Sequence, residues 1–193
     1  MLLTLLKNKK RVILVTNQNN DTPYNKGLIM NISLIAPSSS SVDMLMKLIE
    51  ELFAYEALPQ RIEQTNHAVN QLISNPELGQ AWLIEVEHEG DKIIAGHIIV
   101  SYSFSLEYGG RVGLIDQFYL KPDWRQQGIG TELIPQIEHH MAQSGIHALS
   151  LEVNIGNAGA RSFYERHDYV PRRQFCMMTK TITPNEVPLN IAS

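Results

Sequence analysis

Residues 125–131, Arg-Gln-Gln-Gly-Ile-Gly-Thr, combine a cation, two glycines one residue apart and a run of main-chain amides where a helix begins. Glycine in or beside a helix costs about 0.5–1 kcal/mol relative to alanine, so Gly128 and Gly130 imply that something approaches the backbone closely. The amides of Gln126, Gln127, Gly128, Ile129 and Gly130 fall at a helix N-terminus, where unsatisfied N–H groups and the positive end of the helix dipole favour a phosphate or pyrophosphate. Arg125 can add a positive charge. A nucleotide P-loop would need Gly-Lys-Ser/Thr at its end, and a dinucleotide fingerprint would need Gly or Ala where Leu133 stands. Taken alone, the same residues also fit a tight strand-to-helix turn with no ligand.

The elements that must hold this loop are legible in the hydrophobic pattern. Ile32 to Ala36 reads as a strand. Ser40 or Ser41 can cap a helix carrying Met44, Leu45, Leu48, Ile49, Leu52 and Phe53 at spacings of three and four. A second helix is expected from near Pro59 to the Asn75-Pro76 pair. Residues 81–120 alternate strand-like runs with turn signals at Glu89-Gly90-Asp91 and Gly109-Gly110, which predicts an antiparallel meander of three strands. Then come the glycine loop, a helix over about 128–144, a strand over 147–153, a short helix over about 157–166 and a last strand, RRQFCMMTKTI. The order β-α-α-β-β-β-α-β-α-β predicts an α/β (α+β) fold: a mixed, mostly antiparallel sheet flanked by helices. The crossover after residue 120 makes the strands near 111–120 and 147–153 a central parallel pair, with the loop outside their carboxyl ends.

The 193 residues suit one buried domain, over 30–183, with a C-terminal tail at 184–193. Residues 1–29 read as an extension, loosely ordered or upstream of a true start at Met30; they carry a net charge of +4, which leaves −8 for the remainder of a chain whose total is −4. That acidic body disfavours nucleic acid and mildly favours cationic small molecules or basic peptides. No apolar run approaches the roughly 20 residues of a membrane span, and the basic cluster follows the N-terminal apolar run, so a cytoplasmic protein is the expectation. The single Cys176 excludes an internal disulfide framework and a multi-thiolate metal site. Its place in a strand-like run suggests inert packing rather than a nucleophile. The seven histidines read as surface residues; His139 and His140 are adjacent on a helix and cannot face one metal together.

The stretch IDQFYLKPDW-RQQGIG, followed by LSLEVNIGNAGARSFYERHDY, resembles the GCN5-related N-acetyltransferase (GNAT) family. The resemblance runs roughly from Ile32 to Thr181 and is most specific over 111–170. It implies transfer of acetyl from acetyl-CoA to a primary amine of a small molecule or peptide. The loop amides of Gln126, Gln127, Gly128, Ile129, Gly130 and Thr131 would hold the CoA pyrophosphate. A bulge that splays the fourth strand from the fifth would expose main chain at Phe118, Tyr119 and Leu120 to the pantetheine arm. Asn157 would lie near that arm, and its other role, capping the short helix, is compatible with this.

Amine attack on a thioester builds an oxyanion and expels a thiolate, so the site needs hydrogen-bond donors and a proton for sulfur. Phe163-Tyr164-Glu165 matches the family position from which a tyrosine donates, making Tyr164 the catalytic candidate against an alternative role in the core. The amine must also lose a proton. Asp116 is a candidate base, because strict alternation groups it with Val112, Leu114 and Phe118 on an apolar side; a purely structural carboxylate is the alternative. Glu107, Glu152 and a water chain stay open. Acceptor contacts are expected from Tyr55, Glu56, Tyr102 and Glu107.

Two departures from the family pattern stand out. Asp168 replaces a usual glycine, where aspartate tolerates a left-handed backbone. Pro135 lies inside the loop helix, where a kink is expected. A homodimer is compatible with the sequence, and a non-catalytic acetyl-CoA-binding sensor is the alternative to an enzyme.

Overall fold

A computed structural model describes residues 31–182. The extension at 1–29, its junction at Met30 and the tail at 184–193 fall outside the described residues. The elements are β1 (Asn31–Ile35), α1 (Val42–Tyr55), α2 (Ile62–Ser74), β2 (Gly79–His88), β3 (Asp91–Ser105), β4 (Gly110–Leu120), a 3-10 turn (Pro122–Trp124), α3 (Ile129–Gln143), β5 (Leu149–Leu151) and α4 (Ala158–Glu165). The five strands lie in sequence order in one sheet, antiparallel except for the pair β4–β5. The expected meander and parallel pair are both present. Among the described residues no helix is long and apolar enough to cross a membrane.

Each face of the sheet is closed by one pair of helices. The apolar stripe of α1 (Leu45, Leu48, Ile49, Leu52), with Val69 of α2, packs on Ala81, Leu83, Ile99 and Tyr119. On the other face Ile129, Leu133, Ile134, Ile137 and Met141 of α3 join Ala160, Phe163 and Tyr164 of α4 over Ile98, Ile115, Phe118 and Leu120. Full burial of a leucine or isoleucine is worth about 1.5–3 kcal/mol, so these stripes fix which way each helix lies.

Several sequence expectations are corrected. Pro59 lies ahead of α2 rather than in its first turn, since that helix starts at Ile62. Ser41 sits at the N-cap of α1 without making a side-chain cap bond; its hydroxyl is taken up by Ser38, accepting from Ser38 N at 2.8 Å. Pro135 lies inside α3, which runs from Ile129 to Gln143, where the sequence put it. Asp168 adopts φ 63°, the left-handed backbone anticipated for it.

The last expected strand does not form. Residues 172–182 have no strand assignment and are exposed, including Phe175, Met177, Met178 and Ile182. β5 is three residues long and offers little edge, while Pro171 cannot donate a ladder hydrogen bond. A cavity of about 680 Å³ lies instead between residues 146–151 and 167–172. Cys176, expected within that strand, is exposed.

Candidate active site

The site begins with an irregularity in β4. Ile99 of β3 pairs with Gln117 and Val100 with Ile115, so Asp116 is the extra residue of a bulge. Such a bulge resets the alternation of side chains. Ile115 and Phe118, three apart, therefore share the α3/α4 face, and the grouping of Asp116 with Phe118 expected from strict alternation is overturned. The bulge also marks the end of pairing with β5. That ladder spans only Gly113–Leu149, Leu114–Ser150 and Ile115–Leu151, whereas Phe118, Tyr119 and Leu120 continue to pair with β3 alone. The strands part at Asp116 and leave main chain of β4 open along one side.

The glycine loop stands at the end of that opening. Gln126 (φ 60°) and Gly128 (φ 83°) are left-handed on either side of Gln127, an alternation that makes successive N–H groups converge. The Gln127 side-chain amide donates to the Asp123 carbonyl and pins the turn. Gly128 is the N-cap of α3 and supplies no side-chain cap; the first intrahelical bond is Glu132 N to Gly128 O at 3.1 Å. The amides of Ile129, Gly130 and Thr131 thus precede the ladder, as an anion site requires.

α4 closes the gap from the same face. Asn157 caps it, accepting from Ala160 N at 2.9 Å. Tyr164 is 2% exposed, its hydroxyl has no hydrogen-bond partner, and its ring packs edge-on to Phe163 and Tyr169. Burial, reinforced by Tyr169, holds its phenol far above the usual tyrosine value, so it keeps its proton. Uncapped helix amides and strand main chain freed from β5 fit the diphosphate and amide-bearing arm of acetyl-CoA, and Tyr164 is a buried donor in the core of the same face.

The opposite face of β4 carries a polar group that the sequence did not announce. His97, read as a surface residue, is instead fully buried: 0% exposed. Its Nε2 lies 2.8 Å from Gln117 Oε1, and desolvation lowers its pKa to about 4, so the ring is neutral. Beside it, the Tyr119 hydroxyl donates to Glu51 of α1 at 3.3 Å, and burial together with that carboxylate raises the phenol pKa. Arg125 folds onto this face: its Nε donates to Leu120 O at 2.8 Å, with the guanidinium 4.8 Å from the Tyr55 ring and 5.5 Å from the Tyr119 ring. The guanidinium is turned away from the α3 N-terminus that it was expected to reinforce. The i, i+4 spacing of Glu51 and Tyr55 on α1 was available as a signal.

Other candidates are separated. Glu107 sits past the far end of β3 and pairs with Arg172 at 3.1 Å. β4 spans eleven residues, so Glu107 lies about 35 Å from the loop. Tyr102 packs on the α3/α4 side under Arg111, apart from Tyr55. Glu56 directly follows α1, and Glu152 directly follows β5. No group of three or more His, Cys, Asp or Glu is arranged for a metal among the described residues.

The comparisons with known proteins agree with this geometry. Residues 43–169 match the acetyltransferase (GNAT) family. An aminoalkylphosphonate N-acetyltransferase of Salmonella typhimurium is 30% identical over 76 residues, 39% of this chain and 49% of that protein, so the match spans about half of its length. A possible acetyltransferase from Clostridium difficile superposes with a TM-score of 0.66 at 19% identity, covering 80% of this chain and 99% of that one. A predicted acetyltransferase from Clostridium acetobutylicum, crystallised with acetyl-CoA, does so with a TM-score of 0.62 at 15% identity, covering 78% and 96%. With the family matched over most of the described residues, the chain belongs to the GNAT acetyltransferases, whose co-substrate is acetyl-CoA.

Proposed function

We propose that this protein transfers the acetyl group of acetyl-CoA to the primary amine of a small molecule or peptide by direct attack. The carrying observation is the parting of β4 from β5 at Asp116 beside the uncapped N-terminus of α3. Ile129, Gly130 and Thr131, with the loop amides of Gln126, Gln127 and Gly128, hold the diphosphate. Main chain at Phe118, Tyr119 and Leu120 binds the amide-bearing arm as an added strand would, and Asn157 fixes the start of α4 beside it. Tyr164 donates its proton to the departing sulfur, a task suited to a phenol that burial keeps neutral. Asp116, placed by the bulge at the mouth of the opening, takes the proton from the incoming ammonium. The N-acetyltransferase of Salmonella typhimurium supports a small amine as acceptor by its name.

The test is thiol release from acetyl-CoA across amino acids, aminoalkylphosphonates, polyamines and aminoglycosides. Saturable release with at least one class is expected, and Tyr164→Phe should keep CoA binding while losing turnover. Tight CoA binding with no amine acetylated would replace the enzyme by a sensor.

A further inference from the structure

Arg125, in the glycine-loop motif, sends its side chain to the other side of the sheet. Tyr119, beneath its guanidinium, belongs to the core under α1 and α2, while Ile129 of the loop helix belongs to the core under α3 and α4. The guanidinium is stacked against Tyr119, which is buried, and Tyr55, which is 49% exposed and forms the outer side of the stack. Its Nε is used on Leu120 O, yet its Nη2 is buried with no hydrogen-bond partner. On this face the Glu51 carboxylate takes its hydrogen bond from Tyr119.

A guanidinium is charged at every accessible pH, and burying one of its donors without a partner is costly. Natural chains rarely keep such a group unless something else completes it. Its planar fork matches an oxyanion with two adjacent oxygens, and the flanking rings hold it rigid in advance of binding. The position is also specific. Leu120, to which Arg125 is tied, ends β4, so the unused donor sits at the strand end just beyond the opening, on the face away from the cofactor loop.

We infer that Arg125, held between Tyr55 and Tyr119, is a specificity residue that binds an oxyanion on the acceptor, so that the preferred substrate is a primary amine carrying a carboxylate or phosphonate. This rests on the acetyl-transfer reading. It differs from the cationic acceptor suggested by the acidic body, because the local guanidinium, not the averaged surface charge, meets the bound molecule.

The experiment compares three amines of matched length, β-alanine, 2-aminoethylphosphonate and propylamine, with full-length wild type, Arg125→Gln and Arg125→Lys. With CoA present, calorimetry should show wild type binding one or both anionic amines at least about 10-fold more tightly than propylamine, as expected for a charge-assisted hydrogen bond pair. The two anionic arms separate a carboxylate from a phosphonate. Arg125→Gln should erase the preference by raising KM for the anionic amines, with Arg125→Lys in between, while the Kd for CoA shifts by less than about two-fold. Thermal melts confirm that each variant is folded; should Arg125→Gln fail to fold, Arg125→Lys and Tyr55→Ala provide the same KM reading. The inference is overturned if wild type binds the anionic amines no better than propylamine, or if the variants lose CoA affinity or kcat equally for all three amines. Binding is read without turnover, so a preference in calorimetry with no acetylation would sink the enzyme reading and leave the anion site standing.

Discussion

The two faces of β4 offer a ligand different kinds of group, and they left different traces in the sequence. On the α3/α4 face the groups offered to acetyl-CoA are mostly main chain: loop amides, an uncapped helix end and a strand edge opened at Asp116. Backbone recognition constrains which residues can stand there, so it wrote itself into Gly128 and Gly130. On the α1/α2 face the polar groups are side chains from four separate segments: Glu51 and Tyr55 of α1, His97 of β3, Gln117 and Tyr119 of β4, and Arg125 of the loop. Side chains gathered from distant segments leave no local spacing to read. A catalyst that keeps one co-substrate and varies the other would be divided in this way.

The sharpest way to break this contrast is Gly128→Val. Gly128 holds φ 83°, which costs a β-branched residue roughly 1–2 kcal/mol, and the new methyls would intrude on the diphosphate, forfeiting hydrogen bonds to a charged group worth about 1.5–3 kcal/mol. CoA affinity measured by calorimetry should fall at least about 100-fold, and Gly128→Ala should fall between it and wild type. Retained affinity would mean that the loop is only a turn.

The next largest effect belongs to the other face and appears as pH dependence of stability. His97 is buried neutral, with its pKa lowered to about 4 from 6.5. The unfolded chain therefore binds a proton that the native state refuses, so this contribution is complete above about pH 6.5 and is lost as pH falls from there to 4, by about 3 kcal/mol in all. Urea denaturation at pH 7 and pH 4.5 should show the slope, and His97→Leu should flatten it. Equal slopes in both proteins would show that His97 is hydrated.

How far the sequence could be read follows from the same division. The hairpin at Glu89-Gly90 and the capping of α4 by Asn157 depend on residues close in the chain, the parallel pair follows from the rule for a strand-helix-strand crossover, and each was legible. The position of Asp116 was not, because a bulge shows only when β3 is laid beside β4, and period-2 alternation assumes there is none. His97 was misread for a related reason: on an apolar strand a histidine looks like an exception until its partner, Gln117, arrives from the neighbouring strand. The apolar run at 174–182 has strand composition, but composition cannot supply an edge to pair with, and β5 presents only three residues.

Tyr164→Phe makes a smaller change and tests whether the α3/α4 face does chemistry besides binding. The hydroxyl has no hydrogen-bond partner among the described residues, so removing it should leave the melting temperature unchanged or slightly raised. Loss of a positioned proton donor should lower kcat about 100-fold with CoA affinity kept. A drop in stability with unchanged kcat would return Tyr164 to the core.

The smallest expected effect is the control for both faces. Asp168 lies in the turn after α4 at φ 63°, its amide bonded to Glu165 O at 3.2 Å, and it touches neither the loop nor the Arg125 stack. Glycine adopts this backbone without steric cost, whereas an L residue there costs roughly 1 kcal/mol. The greater freedom of glycine in the unfolded chain takes back part of that gain. Asp168→Gly should therefore raise stability by only about 0.5 kcal/mol, visible as a shift of a degree or two in melting temperature. KM for the amine and Kd for CoA should both stay at their wild-type values. If either moved, the turn after α4 would be coupled to the position of Tyr164, and the two faces of β4 could no longer be treated as independent of the segment that follows them.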